Sequence, residues 1–465
     1  MSKRWLKLLG VLLALGMIAA ACGDSDDDDS GDDGGDTTEA DAGAEGGDDG
    51  GDGGAEGADF DGAVVTITGP ERTDQDVGSI NDALNQWAEG VGITVEYTGD
   101  ADWEANINTQ VEGGNPPDIS FFPQPGKLAD FARAGSIVAL TDAVNQSIDD
   151  NWLPGFQLLG EVDGTQYGVP AKTDLKSLVW YQPARFEAAG YSVPETFDEF
   201  TALVAEMAAA DGPRPLCVGI ESGQATGWPF TDWVEEMMLR LHGPDVYDQW
   251  LTNELPFDSP EVQEAMQAVV DLWAEDNVFA SSGSVSATNF GDNAQPLVDG
   301  QCYMHRQANF FGGFFPEGTP FADGSEGAVD VFYFPDINDD APILIAGVFA
   351  GAFNDDPATM AVMEYLATSD YAENRQRIQA ELLGGTDITG YLSGSNGQDV
   401  SVYSPLEQSF LEIINNAAIA RFDGSDVMPA DVGAGTFWTE GTSVVNGDID
   451  VATAAQRIQE SWPAS

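Results

Sequence analysis

Apolar positions arrive in short bursts whose spacing switches between the period of a strand and that of a helix. Val64 to Thr68 reads as a strand, Ser79 to Val91 as a helix, Ile93 to Tyr97 as a strand, Trp103 to Glu112 as a helix and Ile119 to Phe122 as a strand. This βαβαβ opening predicts an α/β fold with an open, mostly parallel sheet, whose ligands bind beyond the carboxyl ends of the strands. The theme returns with strands at Ser177 to Tyr181, Leu216 to Ile220 and Ile343 to Phe353. Helices are predicted at Phe197 to Ala210, Thr231 to Arg240, Val262 to Ala274 and Pro357 to Ala367, and the last third of the chain is mainly helical. No repeat of fixed period is visible. About 400 residues follow Asp59, more than one core usually organises, so two domains are expected.

One apolar run breaks the pattern. Leu8 to Ala21, interrupted by Gly10 and Gly16, follows Lys3, Arg4 and Lys7 and is too short for a permanent span, as in a signal peptide over residues 1–21. Ala19-Ala20-Ala21 before Cys22 resembles the lipobox of bacterial lipoproteins, which implies lipidation at Cys22; an ordinary secretory signal beside a Cys is the other reading. Residues 22–61 then read as an acidic disordered tether. Gly23 to Asp59 holds 16 acidic residues, no basic residue and no large apolar side chain, so it has nothing to bury against the entropy of ordering. As a coil, roughly 40 residues span on the order of 35 Å.

Charge narrows the function classes. Beyond the tether stand 64 acidic and 13 basic residues, a net charge near −51, which excludes nucleic acid as a natural partner and suits salt-rich surroundings. With Cys22 lipidated, Cys217 and Cys302 remain in an oxidising compartment and are expected to form a disulfide; two free buried thiols are the alternative.

Catalytic patterns are missing. His242 and His305 have no partner at metal-ligand spacing, so no metal is expected. No G-x-S-x-G, Walker A or G-x-G-x-x-G element occurs, and no cofactor is expected. Four aromatic clusters carry more information, because sugars are held by CH faces on rings beside planar polar groups: Trp228-Pro229-Phe230-Thr231-Asp232-Trp233, Phe121-Phe122-Pro123-Gln124-Pro125, Met304-His305-Arg306-Gln307 and Phe437-Trp438. Core packing is the competing account of each.

Taken with further stretches, these residues carry a resemblance. The stretches include Gly114-Asn115-Pro116-Pro117-Asp118, Lys176-Ser177-Leu178-Val179-Trp180-Tyr181, Ile220-Glu221-Ser222-Gly223, Thr288-Asn289-Phe290-Gly291-Asp292 and Arg421-Phe422-Asp423. In this order they resemble the extracellular solute-binding proteins of ABC importers, carbohydrate-binding family 1, in particular the α-glucoside subgroup and its maltose-binding relatives. The resemblance implies the type II periplasmic-binding-protein fold: two α/β lobes and a hinge that closes on sugar, with no bond chemistry. Lobe 1 would comprise 62–175 and 342–385, lobe 2 176–341 and 386–465. It implies ligand contacts at Glu71, Arg72, Phe122, Gln124, Lys172, Asp174, Trp228, Asp232, Trp233, Arg306, Arg421, Asp423 and Trp438. The implied partners are a small-molecule sugar and ABC permease subunits with their cytoplasmic ATPase. A monomer is expected outside the bacterial cell membrane, touching it only through the lipid anchor. Val348, where the subgroup suggests an acid, and the Gly-rich stretch from Leu383 to Gly397 depart from the pattern. A binder of another polar solute, such as a polyol or glycerophosphodiester, and a lipid-anchored glycosidase are the alternatives.

Overall fold

The computed structural model describes residues 60, 62–338, 340–385 and 388–463. Cys22, the leader and nearly all of the tether lie outside the described residues.

Two sheets organise the chain. The first has six strands, Ala63–Gly69, Ile93–Gly99, Ile119–Phe122, Gly168–Leu175, Ile343–Ala352 and Ala420–Phe422. Its opening strands are parallel, as the βαβαβ pattern requires, while the long strand Ile343–Ala352 runs antiparallel to both Ile119–Phe122 and Gly168–Leu175. The second sheet orders Asp330–Tyr333, Leu178–Tyr181, Cys302–Arg306, Arg214–Cys217 and Val278–Phe279, with mixed directions. Every residue of Gly168–Leu175 and Ile343–Ala352 is buried; the second strand is therefore a continuous apolar or small run without alternation, whereas the first carries Lys172 and Asp174 inside. Cys217 and Cys302 are bonded across neighbouring strands, with Cα atoms 5.4 Å apart.

Local signals explain where the sequence reading and the structure differ. The first helix spans Asp74–Ala88 rather than starting at Ser79. Gly78 reads as a break, yet the Thr73 side chain caps the helix by accepting from the Asp76 amide, and Asp74 and Asp76 complement the helix dipole. A larger difference concerns 386–465, placed with the second lobe. Ala420–Phe422 is an edge strand of the first sheet, and Tyr391, Tyr403 and Phe410 join the core cluster that holds Val65 and Ile345. Three residues are too short for a strand signal against a helical background, so the sequence pattern gives no sign of this edge strand. The chain then crosses over, and the helices Trp438–Val445 and Val451–Ser461 pack in the other cluster with Phe230 and Val262.

Candidate ligand-binding cleft

Between the sheets lies a cavity of about 310 Å³. Loops beyond the carboxyl ends of the first sheet's opening strands bring Glu71, Arg72 and Gln124 to one side, joined by Glu104 from the first turn of the helix Trp103–Glu112. Gln124 occupies the cap position of the helix Pro125–Arg133, which fixes its backbone at the wall. The strand Gly168–Leu175 adds Lys172 and Asp174 at the floor, followed by Lys176. Trp228, Phe290, Phe310 and Phe314 form an aromatic wall from the other lobe, and Tyr391, Asp423, Asp426 and Trp438 complete the lining. Within that wall Trp228 meets Phe290 edge-on at 5.0 Å and Phe290 meets Phe314 at 5.2 Å, so the rings brace one another. Gly227 has φ +116°, and a Cβ there would stand 2.3 Å from the Trp438 carbonyl, so the close approach of the two tryptophan-bearing helices requires glycine.

The floor is ionic but internally neutralised. Lys172 Nζ lies 3.3 Å from Asp174 and 3.6 Å from Glu71, and Arg375 grips Glu71 at 2.6 Å while lying 4.2 Å from the Tyr391 ring centre. Burial alone would raise the Glu71 carboxyl, but Arg375 and Lys172 outweigh it and hold it below its usual range. For Asp174 burial prevails over Lys172 and the carboxyl is raised. Burial opposes the Lys172 charge, yet Asp174 and Glu71 raise its ammonium.

At the other end Lys176 Nζ meets Asp232 at 2.8 Å and also bonds Asp423. Burial pushes Asp232 up to about 7 despite Lys176, and it pushes Asp426 and Glu235 well above the carboxylate range. Asp232, Glu235 and Asp423 present oxygens within 4.8 Å of one another, and the Lys176 ammonium lies against two of the three. Gln124 Oε1 and Trp438 Nε1 are buried with no hydrogen-bond partner among the described residues.

Eight of the expected contact residues therefore line the cavity: Glu71, Arg72, Gln124, Lys172, Asp174, Trp228, Asp423 and Trp438. Five do not. Phe122 is wholly buried against Trp103 and Phe131, because Ile119–Phe122 is covered on both faces. Trp233 packs between Trp273 and Phe334. Asp232 stands behind the wall, holding Lys176 and lying 3.4 Å from Arg306, while Arg306 also meets Glu236 at 3.3 Å. Arg421 is spent on Asp248 at 2.6 and 2.9 Å. Sequence reasoning missed Lys176, Phe290, Phe310, Phe314, Tyr391 and Asp426. The run Asn309-Phe310-Phe311-Gly312-Gly313-Phe314 was the available signal, since aromatic residues beside paired glycines in a turn have no helical or strand periodicity to satisfy.

Two lobes around a cleft with a ring-lined wall and a hydrogen-bonding floor define a solute receptor. The bacterial extracellular solute-binding protein family model matches residues 70–373, and the chain belongs to that family. It is 38% identical over 395 residues to the osmoprotective compounds-binding protein GgtB of Synechocystis, covering 83% of this chain and 89% of that one. It is 37% identical over 423 residues to the alpha-glucosides-binding periplasmic protein AglE of Rhizobium meliloti, with 87% and 88% covered. Among solved structures it shares the fold of the solute receptor AcbH, at 20% identity and a TM-score of 0.71 over 86% of this chain and 98% of that one. A maltose-bound receptor of T. maritima superposes with a TM-score of 0.65 at 17% identity, over 86% and 98% of the respective chains. The chain is the solute-binding component of an ABC importer.

Proposed function

We propose that the cleft captures a neutral, polyhydroxylated solute of the α-glucoside type and releases it unchanged to the importer's permease, whose cytoplasmic ATPase drives uptake. The observation that carries this reading is the opposition of the Trp228, Phe290, Phe310 and Phe314 wall to a floor where each lysine is matched by two carboxylates. A pyranose has an apolar CH face and a polar rim and satisfies both. A free anion would meet no uncommitted lysine there. Gln124 Oε1 and Trp438 Nε1 supply an acceptor and a donor for hydroxyls. Glu71, Arg72, Lys172, Asp174 and Asp423 complete the contact set.

Closing lets one solute touch both lobes, so binding shifts the open and closed populations without bond chemistry. The protein acts as a monomer, anchored through Cys22 on the outer face of the cell membrane with the acidic segment as its leash. The relatives' names, one for alpha-glucosides and one for osmoprotective compounds, set the panel for the test. Calorimetric titration of the purified protein with trehalose, sucrose, maltose and small polyols should give saturable heat with at least one glucoside. Heat with a polyol alone favours the osmoprotective solute, and no heat with any saccharide overturns the sugar assignment.

A further inference from the structure

The chain leaves one sheet for the other at 175–178 and 333–343, and leaves the first sheet for the helices of the other lobe at 422–424, three crossings in all. No strand of one sheet pairs with a strand of the other among the described residues, so the angle between the lobes is left to the bonds made at the crossings. One face of the helix Trp228–His242 meets all three crossings. Its residues Asp232, Glu235, Glu236 and Arg240 recur at intervals of three and four and are all buried.

At the second crossing Arg240 donates to the carbonyls of Phe334 at 2.8 Å, Pro335 at 3.1 Å and Pro342 at 3.4 Å, and to Glu236 at 2.9 Å. Glu236 accepts from the Ser177 hydroxyl at 2.6 Å, which brings in the first crossing. The same hydroxyl oxygen accepts from the Leu344 amide at 2.8 Å, and the Ser177 carbonyl accepts from the Phe334 amide at 2.9 Å. At the third crossing Glu235 accepts from the Ser425 amide at 2.9 Å, while Asp232 and Asp423 share Lys176. The helix itself begins in the cleft, where Lys176 Nζ lies 5.5 Å from the centre of the Trp228 ring.

We propose that Ser177, Glu236 and Arg240 are positioning residues of a hinge clasp, which hold the three crossings in register with the aromatic wall so that the interlobe angle and the cleft are set together. Ion pairs this deeply buried add little net stability over apolar packing, because desolvation consumes most of the attraction. What they supply is geometry: the Arg240 guanidinium and the Ser177 hydroxyl meet their partners in one arrangement, and an angle that breaks one of those bonds strands its partner without water. The clasp spans both lobes through a single helix, so the crossings move as a unit.

The test uses hydrogen exchange with mass spectrometry on the full chain without ligand, in wild type, Ser177→Ala and Glu236→Gln. Exchange should rise about 10-fold in the segments covering all three crossings, while Ala63–Gly69 and Pro260–Leu272 keep wild-type protection. Tryptophan fluorescence should show trehalose affinity weakened by about 10-fold in both variants. A change confined to the substituted segment, a uniform rise along the chain, or wild-type exchange at the other two crossings overturns the clasp. Should Glu236→Gln fail to fold, Ser177→Ala decides the matter alone. The exchange result does not depend on the ligand, so a wild type that ignores trehalose counts against the sugar reading and not against the hinge.

Discussion

Phe122 and Trp228 are both large rings implied as sugar contacts, and they meet opposite environments. Phe122 is fully buried among Trp103, Phe131 and Phe353, whereas Trp228 is half-buried with part of its surface open to the cavity. Truncating Phe122 to alanine should cost about 3 to 5 kcal/mol of stability and leave the affinity of the folded protein unchanged. Trp228→Ala should instead weaken sugar binding by about 10- to 100-fold, with a smaller stability loss. Denaturation and calorimetry on the two variants check the contrast, and a Phe122 variant with weakened binding at full folding would return that ring to the contact set. Asp232 gives a prediction in pH. Unfolded, its carboxyl titrates at about 3.8; folded, burial lifts it to about 7 against the pull of Lys176 and Arg306, with Asp423 adding to the rise. Between those values the folded state keeps a proton that the unfolded state has lost, so stability falls as pH rises through the window. Glu71 and Asp423 are shifted the other way and act below it. Denaturant titrations between pH 4 and pH 7 should show this fall in wild type and a shallower one in Asp232→Asn.

The strand Ile93–Gly99 ends the first sheet and would leave an open edge, but the first helix covers it. Asn85 donates to the Val95 carbonyl at 2.8 Å and accepts from the Val95 amide at 2.9 Å, and Asn81 does the same at Tyr97 with 3.0 and 2.8 Å. The asparagines thus stand in for a neighbouring strand. Asn85→Ala should cost about 1 to 3 kcal/mol, because the buried Val95 loses both partners, and faster aggregation near the melting point should accompany it. Light scattering during a thermal ramp checks this. The elements also show what could be read beforehand. The βαβαβ opening was legible because each strand and helix there is long enough to display its period. Glu71, Lys172 and Asp174 are among the positions the motif resemblance implied, and they line the cavity. The aromatic wall was not, since Phe290, Phe310 and Phe314 sit in short 3-10 turns whose packing partners come from distant parts of the chain. Phe122, Trp233 and Arg306 misled for the reverse reason: ring and guanidinium composition is the same whether a side chain packs in a core or faces a cleft, and only burial separates the two.

Over the whole molecule the few basic residues are spent inside. After the leader the sequence has three lysines, Lys127, Lys172 and Lys176, and all are buried, as are Arg240, Arg306, Arg375 and Arg421. That is seven of the 13 basic residues beyond the tether, so the outer surface is more acidic than the composition states and carries no lysine to offset it. Like charges spread over a compact surface repel one another, and unfolding relieves the strain by separating them. The repulsion acts over the Debye length, about 10 Å at 0.1 M salt and about 3 Å at 1 M, whereas the buried pairs that hold the cleft are screened far less. Added salt should therefore remove the unfavourable surface energy and spare the favourable interior one. The melting temperature is expected to rise on the order of 5 °C between 0.05 and 1 M sodium chloride, and to level off once the Debye length falls below the spacing of surface carboxylates. Differential scanning calorimetry across that range checks it. A flat or falling midpoint would mean that the carboxylates already lie far enough apart to ignore one another, and the acidity would then have no bearing on how the receptor holds its shape.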